Sequence, residues 1–530
     1  MNVKNYNRYF HLHTISGIII TVILYIFFFA GSFSFFKNEI DSWQQNTPKK
    51  DYTAQTINYN QIIDSLDSNY GLYGRNISFR VSDKTRTVRL SVTPSKDTLN
   101  PKAKQRNFGY LNPETNQIKS YQENYGLGEF LYRLHFFAQV NALGKVGPIP
   151  VGYFIAGLVS FLFLFALLTG ILVHWKKIVS NFYIFRPWEK IKTIWTDLHT
   201  ALGVISFPFQ LIFAITGSYF LLHYYVMMSS VAALGYQGDV KKLQEDVNFR
   251  KGPVKEVIFE NKPLDHSIDI NNYLTQTEER WKDAEITGIS IDNYGDQSMV
   301  VTVNGKAPAA KQFNSKGELK YHVATNKVTQ IADPFANPGY SYSFSNILYE
   351  LHFGAFGGYL TRIVYFLVGV AGCIVIISGV LIWLVARDKK NVPEHKRKFN
   401  FWLANTYMAI CLSMYPVTAL SFIAVKIFPD KGQSFIYSFY FWTWLIATVL
   451  LLVRKNIYKT NRDCLLLGSI IGFCIPIVNG ICTGDWLWNN YKNQYFDILT
   501  IDLFWIIVPI ITLFAYRLVI RKHEQKQMTQ

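Results

Sequence analysis

The sequence predicts a polytopic α-helical membrane protein of about eight transmembrane helices, with two extracytoplasmic α+β domains inserted in a duplicated helix-domain-helix unit. Three observations carry that prediction. Half of the 530 residues are hydrophobic, and they gather near 14–36, 151–174, 200–222, 360–385, 401–424, 434–453, 464–482 and 500–520, each run close to the roughly 20 apolar residues that span a bilayer core. Lys and Arg concentrate in alternate short loops. A motif also recurs: Leu12-His13-Thr14 with Gly17 and Gly31-Ser32 is matched by Leu198-His199-Thr200 with Gly203 and Gly217-Ser218, 186 residues on.

Taken in order, residues 1–36 hold the first span. Ala30-Gly31-Ser32 offers small residues for signal cleavage, but the His-Thr and Gly-Ser positions recur in the third span, so the helix is read as retained. Residues 37–130 form the first outer domain, where Ile62, Ile63 and Leu66 keep helical spacing and 77–81 and 87–92 alternate as strands. An interfacial helix and the second span occupy 131–175. A cytoplasmic loop at 176–197 carries Lys176, Lys177, Arg186, Lys190 and Lys192, and the third span covers 198–223. The second outer domain, 224–345, has a helix near 270–282, strands at 286–291 and 299–303, and an Asn304-Gly305 turn signal. Another interfacial helix and the fourth span fill 346–386, and the loop at 387–400 is again basic. The remaining four spans, 401–522, contain no histidine, and no role follows for them.

With both termini inside, this layout obeys the positive-inside rule at every turn. The net charge of +17 is therefore accounted for by topology and needs no nucleic acid. The five cysteines lie in or beside spans without a C-x-x-C, which argues against a disulfide framework and against covalent haem attachment.

A further pair of histidines opens the second helix of each unit: Leu131-Tyr132-Arg133-Leu134-His135-Phe136 against Leu348-Tyr349-Glu350-Leu351-His352-Phe353, 217 residues apart. Thr169-Gly170 and Ser378-Gly379, at the far ends of those spans, are only 209 apart, and an insertion around 141–150 explains the difference. A b-type haem in a membrane needs little more than two axial imidazoles and an apolar slot. If the repeats are related by an axis along the membrane normal, the quartet predicts two haems b, one on His13 and His199 near the inner surface and one on His135 and His352 near the outer; the pairing itself stays open. A lone interfacial histidine is more simply a cap or a headgroup contact, but four matched ones favour ligation, and ionisable residues in spans are functional candidates. His223 and His174 have no repeat partner, and His11 is a reserve if the register slips. No H-x-x-x-H or H-E-x-x-H supports zinc.

These ordered motifs, across residues 1–390, resemble the PepSY-associated transmembrane family. The resemblance implies a haem-containing ferric-chelate (siderophore) oxidoreductase of the inner, cytoplasmic membrane, with PepSY-like periplasmic domains that receive the chelate and release ferrous iron for iron acquisition. It carries the haem-ligand role to His13, His135, His199 and His352. The alternatives are a PepSY-domain regulator or peptidase-modulating protein without redox activity, and a transporter component, for which Pro208 and Pro416 are the suggestive kinks. The inner loops are too short for a dinucleotide fold and no G-x-G-x-x-G follows a strand, so the donor is a membrane quinol or a cytoplasmic flavoprotein. Tyr70, Tyr73, Arg75, Tyr340 and Tyr342 are open candidates for the chelate site, with none assigned.

Overall fold

The computed structural model describes residues 3–47, 54–81, 88–113, 115–147, 149–240, 242–243, 257–308, 311, 315–336 and 340–528. It forms two compact units. A membrane unit takes Met1–Pro48, Gly126–Ser229 and His352–Gln530, and a sheet unit takes Lys49–Tyr125 and Ser230–Leu351.

In the sheet unit, β1 (Ile77–Arg80), β2 (Val88–Val92), β3 (Asn107–Leu111) and β4 (Ile118–Ser120) come from the first outer segment; β5 (Lys145–Val146) and β6 (Ile149–Pro150) are a separate hairpin in the membrane unit. The second outer segment supplies β7 (Glu285–Asp292), β8 (Val300–Lys306), β9 (Lys316–His322) and β10 (Lys327–Ala332). The eight strands make one antiparallel sheet in the order β10-β9-β8-β7-β1-β2-β3-β4. The segments read from sequence as two domains therefore join edge to edge, with Ile77 opposite Ile291 and Phe79 opposite Ile289. This pairing leaves neither β1 nor β7 as an open edge.

The two halves meet reciprocally, as in a two-fold dimer. Helix Tyr59–Tyr70 is capped by Asn58 and helix Ile270–Arg280 by Asp269; the Tyr59 amide donates to Asn271 Oδ1 at 3.1 Å and the Ile270 amide to Asn60 Oδ1 at 2.9 Å. Both helices and the alternating residues Phe79, Leu90, Ile289, Val301 and Leu319 share a single core. Arg75 is fully buried and donates to the carbonyls of Tyr70, Gly71, Thr93, Lys102 and Gln105. It ties loops together and is not a surface for a chelate. Tyr73 hydrogen-bonds Asp296 at 3.4 Å, Asn107 donates to the Tyr70 hydroxyl, and the side chains of Tyr340 and Tyr342 lie outside the described residues.

Among the described residues, eight helices of the membrane unit are long and apolar enough to cross a membrane: Lys4–Ser34, Val151–His174, Ile191–His223, Gly358–Arg387, Glu394–Ile427, Gly432–Arg454, Ile457–Thr483 and Phe496–Gln525. They are numbered spans 1 to 8 below. The chain is thus a multi-pass membrane protein with an inserted sheet unit. Pro208 and Pro416 lie inside continuous helices, as do Pro476 and Pro509, so none divides a span. Spans 1 to 4 form a ring in which spans 1 and 3 each pack against spans 2 and 4. Small residues bring the helices together: a Cβ on Gly372 would lie 2.6 Å from the Phe28 ring. Span 5 packs on spans 6 and 7, and also on spans 1 and 4.

Buried polar contacts fasten the last four spans to this ring. The short helix Lys37–Gln45, which continues span 1, sends Trp43 Nε1 to Asp502 at 2.8 Å. Asn479 and Asn490 donate to the same carboxylate, and Lys426 donates to the Trp43 carbonyl while lying over its ring. Glu39 takes two hydrogen bonds from Arg362 on span 4, at 2.8 and 2.5 Å, and one from Tyr359 at 3.0 Å. Planar bidentate pairing of this kind fixes orientation as well as charge.

Candidate cofactor sites between the repeated helices

The ring of spans 1 to 4 brings the four matched histidines into two pairs. His13 and His199 lie with ring centroids 6.0 Å apart and planes at 70°. His13 Nδ1 is 2.9 Å from the Ala166 carbonyl oxygen on span 2, and His199 Nδ1 is 2.8 Å from that of Val375 on span 4. A carbonyl can only accept, so each Nδ1 carries the proton and each Nε2 keeps its lone pair. Glycines seat the rings: a Cβ on Gly170 would stand 3.0 Å from His13 Cε1, and one on Gly379 3.1 Å from His199 Cε1. Ala166 and Val375, like Gly170 and Gly379, are 209 residues apart. The repeat therefore reproduces the carbonyl and the seat as well as the imidazole.

Beside this pair is a cavity of about 370 Å³ between the four spans, lined mainly by apolar groups such as Leu24, Phe163, Phe207 and Ile376. Gly17 and Gly203, one helical turn beyond His13 and His199, line it, and a Cβ on either would meet nothing within 4 Å. Side chains at these two positions would enter the cavity.

The second pair lies at the other end of the ring. His135 and His352 have centroids 6.0 Å apart and planes at 39°. His135 Nδ1 is 2.7 Å from the Phe27 carbonyl, with its ring against Gly31. His352 departs from the repeat, because its Nδ1 meets the Thr216 hydroxyl at 2.7 Å. That hydroxyl also lies 2.5 Å from the Ile212 carbonyl, which accepts its proton, so His352 Nδ1 is the donor in the first contact. Phe27 stands edge-on to His135, and Phe213 and Phe220 stand edge-on to His352. Burial pushes both imidazoles below their ordinary pKa, His352 to about 3 with a further push from His135, so both are neutral at pH 7.

A metal ion bound to nitrogen sits about 2.0–2.1 Å away. Adding roughly 1.1 Å from Nε2 to each ring centre, two imidazoles facing each other across one ion would have centroids about 6.3 Å apart, close to both observed separations. Among the described residues there is no group of three or more His, Cys, Asp or Glu placed to hold a metal ion. The donor set is thus two neutral imidazoles per site, with an apolar cavity beside the first. That chemistry fits a metal whose remaining ligands arrive with it, as in a porphyrin.

The other candidates fall elsewhere. His174 lines the same cavity as His13. His223 stacks on Tyr219 at 4.4 Å in a π-helical stretch, Tyr219–Met227, and its buried Nδ1 has no partner. His11 is exposed. Thr216 was not legible as a partner from the repeat, because its counterpart 186 residues earlier is Ala30. A model of the PepSY-associated TM region matches residues 10–386, and no curated protein matches the chain.

Proposed function

The chain belongs to the PepSY-associated transmembrane family, and from that premise we propose that it is a haem-b reductase that passes electrons across the membrane to ferric chelates such as siderophores. The observation that carries the reading is the double pairing of imidazoles, each anchored through Nδ1 with Nε2 left free. Haem held at each pair would supply one-electron carriers near the two membrane surfaces. The chain's own part is to fix the tautomers through Ala166, Val375, Phe27 and Thr216, to seat the inner rings on Gly170 and Gly379, and to exclude water with Phe27, Phe213 and Phe220. The positive-inside rule puts His13 and His199 on the cytoplasmic side, where electrons enter, and the sheet unit on the periplasmic side, where the chelate docks. Reduction releases the metal, because hard oxygen donors hold Fe(II) less firmly than Fe(III).

The test is a dithionite-reduced minus oxidised spectrum of the purified protein with haem quantified per chain. Sharp b-type bands at two haems per chain are expected. Haem-free protein, after expression with ample haem supply, would overturn the reductase and leave the family's regulatory role as the better account. A finer check separates the pairs. Thr216→Val removes the acceptor for His352 Nδ1–H while preserving shape, and loss of an outer-shell partner of this kind typically costs about 10–100-fold in affinity. Transfer of haem to apomyoglobin should then accelerate by that order from the outer site alone.

A further inference from the structure

A second hollow, a groove of about 1180 Å³, opens between spans 4, 5 and 6 at the end of the membrane unit that holds the His13–His199 cavity. The two are back to back across span 4. Trp383 and Arg387 line the histidine cavity, and the next residues along the helix, Leu384 and Asp388, line the groove. One helix, about 10–12 Å thick with its side chains, separates them.

The groove is mainly apolar, with polar and charged side chains gathered at its rim. Phe401, Trp402, Leu452 and Val453 form one wall, and Trp402 and Val453 are exposed on the outside of the bundle, where lipid chains would lie. Asn405 also lines the groove and is 3 % exposed. Among the described residues, its Nδ2 makes only a long 3.4 Å contact to the Leu452 carbonyl, and its buried Oδ1 has no donor. An under-bonded amide at such a depth costs stability unless something completes it. At the rim, Arg397 is paired with Asp388 and Lys398 with Glu394.

We propose that this groove takes the head of a membrane quinol, a hydroquinone on an isoprenoid tail, and that the last four spans supply the site of electron entry; the inference rests on the reductase reading above. A hydroquinone hydroxyl offers the donor that Asn405 Oδ1 lacks, and the tail leaves past Trp402 and Val453 into the bilayer. The phosphate of an anionic lipid brings only acceptors, which Asn405 Oδ1 cannot use, and of the four cations that line the groove, Lys390, Arg397, Lys398 and Lys455, two are already paired with carboxylates. In the reaction both O–H bonds of the quinol break and its two C–O bonds become carbonyls. The quinol's two electrons would leave one at a time across span 4 toward the haem that His13 and His199 would hold, which would supply the one-electron acceptor, and the ferric chelate is the final oxidant. The two protons go to water at the rim of the groove on the same side.

The experiment uses the full-length protein in nanodiscs, with quinone binding and haem reduction measured separately. Decylubiquinone should quench Trp402 fluorescence, identified as the signal lost in Trp402→Phe, and anaerobic decylubiquinol should reduce the inner haem in stopped flow. Asn405→Leu, close in volume, should weaken quenching and slow reduction at least tenfold, with the dithionite spectrum unchanged and a melting temperature equal to or above that of the parent. If Asn405→Leu fails to fold, Asn405→Asp, which keeps an acceptor at the same place, should fold and reduce at near the parental rate. Equal rates in Asn405→Leu and the parent would overturn the groove assignment, as would quenching that phosphatidylglycerol abolishes and Asn405→Leu leaves alone. Haem-free protein that still binds the quinone through Asn405 would sink the reductase and keep the groove.

Discussion

On the proposed haem reading, replacing Gly17 and Gly203 together with leucine should empty the inner site of haem and leave the chain folded. Both positions line the cavity beside His13 and His199, and a Cβ on either meets nothing within 4 Å. A Cβ at either position displaces no neighbour, and the cavity gives the rest of each side chain room. In a protein whose cavity has no ligand, filling it with apolar groups commonly adds about 0.5–2 kcal/mol of stability. In a haem protein the same change occupies the porphyrin's place. The expected result is a fall from two haems per chain to one, loss of chelate reduction, and a melting temperature for the haem-free protein equal to or above that of the parent. Two haems retained in the double variant would show the cavity to be a packing gap.

Separate replacement of His13 or His199 by alanine should remove the spectrum of one haem and spare the other. The two variants should be indistinguishable from each other, because either deletes one of the two imidazoles that would hold the same haem. The loss should exceed the roughly 10–100-fold typical for an outer-shell partner, since a ligand itself is gone. His135→Ala and His352→Ala should form a second matched set with the complementary spectrum. Reduction of an external ferric chelate should collapse in all four, because electrons crossing the membrane need both levels. A spectrum unchanged in His13→Ala and His199→Ala would exclude that pair as ligands, and loss of both haems in either variant would point to a folding defect.

The spans were legible because a bilayer demands long apolar runs, and the histidines stood out because the same four-residue logic recurs 186 residues later. The first helix nevertheless begins at Val3, well before the apolar run near 14; its polar opening residues carry no hydropathy signal although they continue the same helix. The union of the two outer segments was hidden for a different reason. Alternation identifies β1 and β7 as strands, but nothing local says that Ile77 will sit opposite Ile291. Arg75 looked like a surface candidate because its five carbonyl partners are turns whose positions depend on the finished sheet. Thr216 breaks the symmetry that the Ala166 and Val375 carbonyls keep. The contacts of Trp43 with Asp502 and Lys426 join residues hundreds of positions apart, and no periodicity encodes them.

The spacing of the two histidine levels ties the proposed chemistry to the cell's electrical state. On span 1, His13 and the Phe27 carbonyl that receives His135 are separated by 14 residues, about 20 Å of helix rise. That is about two-thirds of a bilayer core some 30 Å thick, so each outward electron falls through a similar share of the transmembrane field. At about 2.3 kcal/mol per charge for each 100 mV, the share comes to roughly 1.5 kcal/mol. With the interior negative the fall is downhill, and every ferric ion reduced outside discharges the membrane by one electron. Iron uptake by this route would draw on the resting voltage as well as on the donor's potential, and would slow in cells whose voltage has been collapsed by an ionophore.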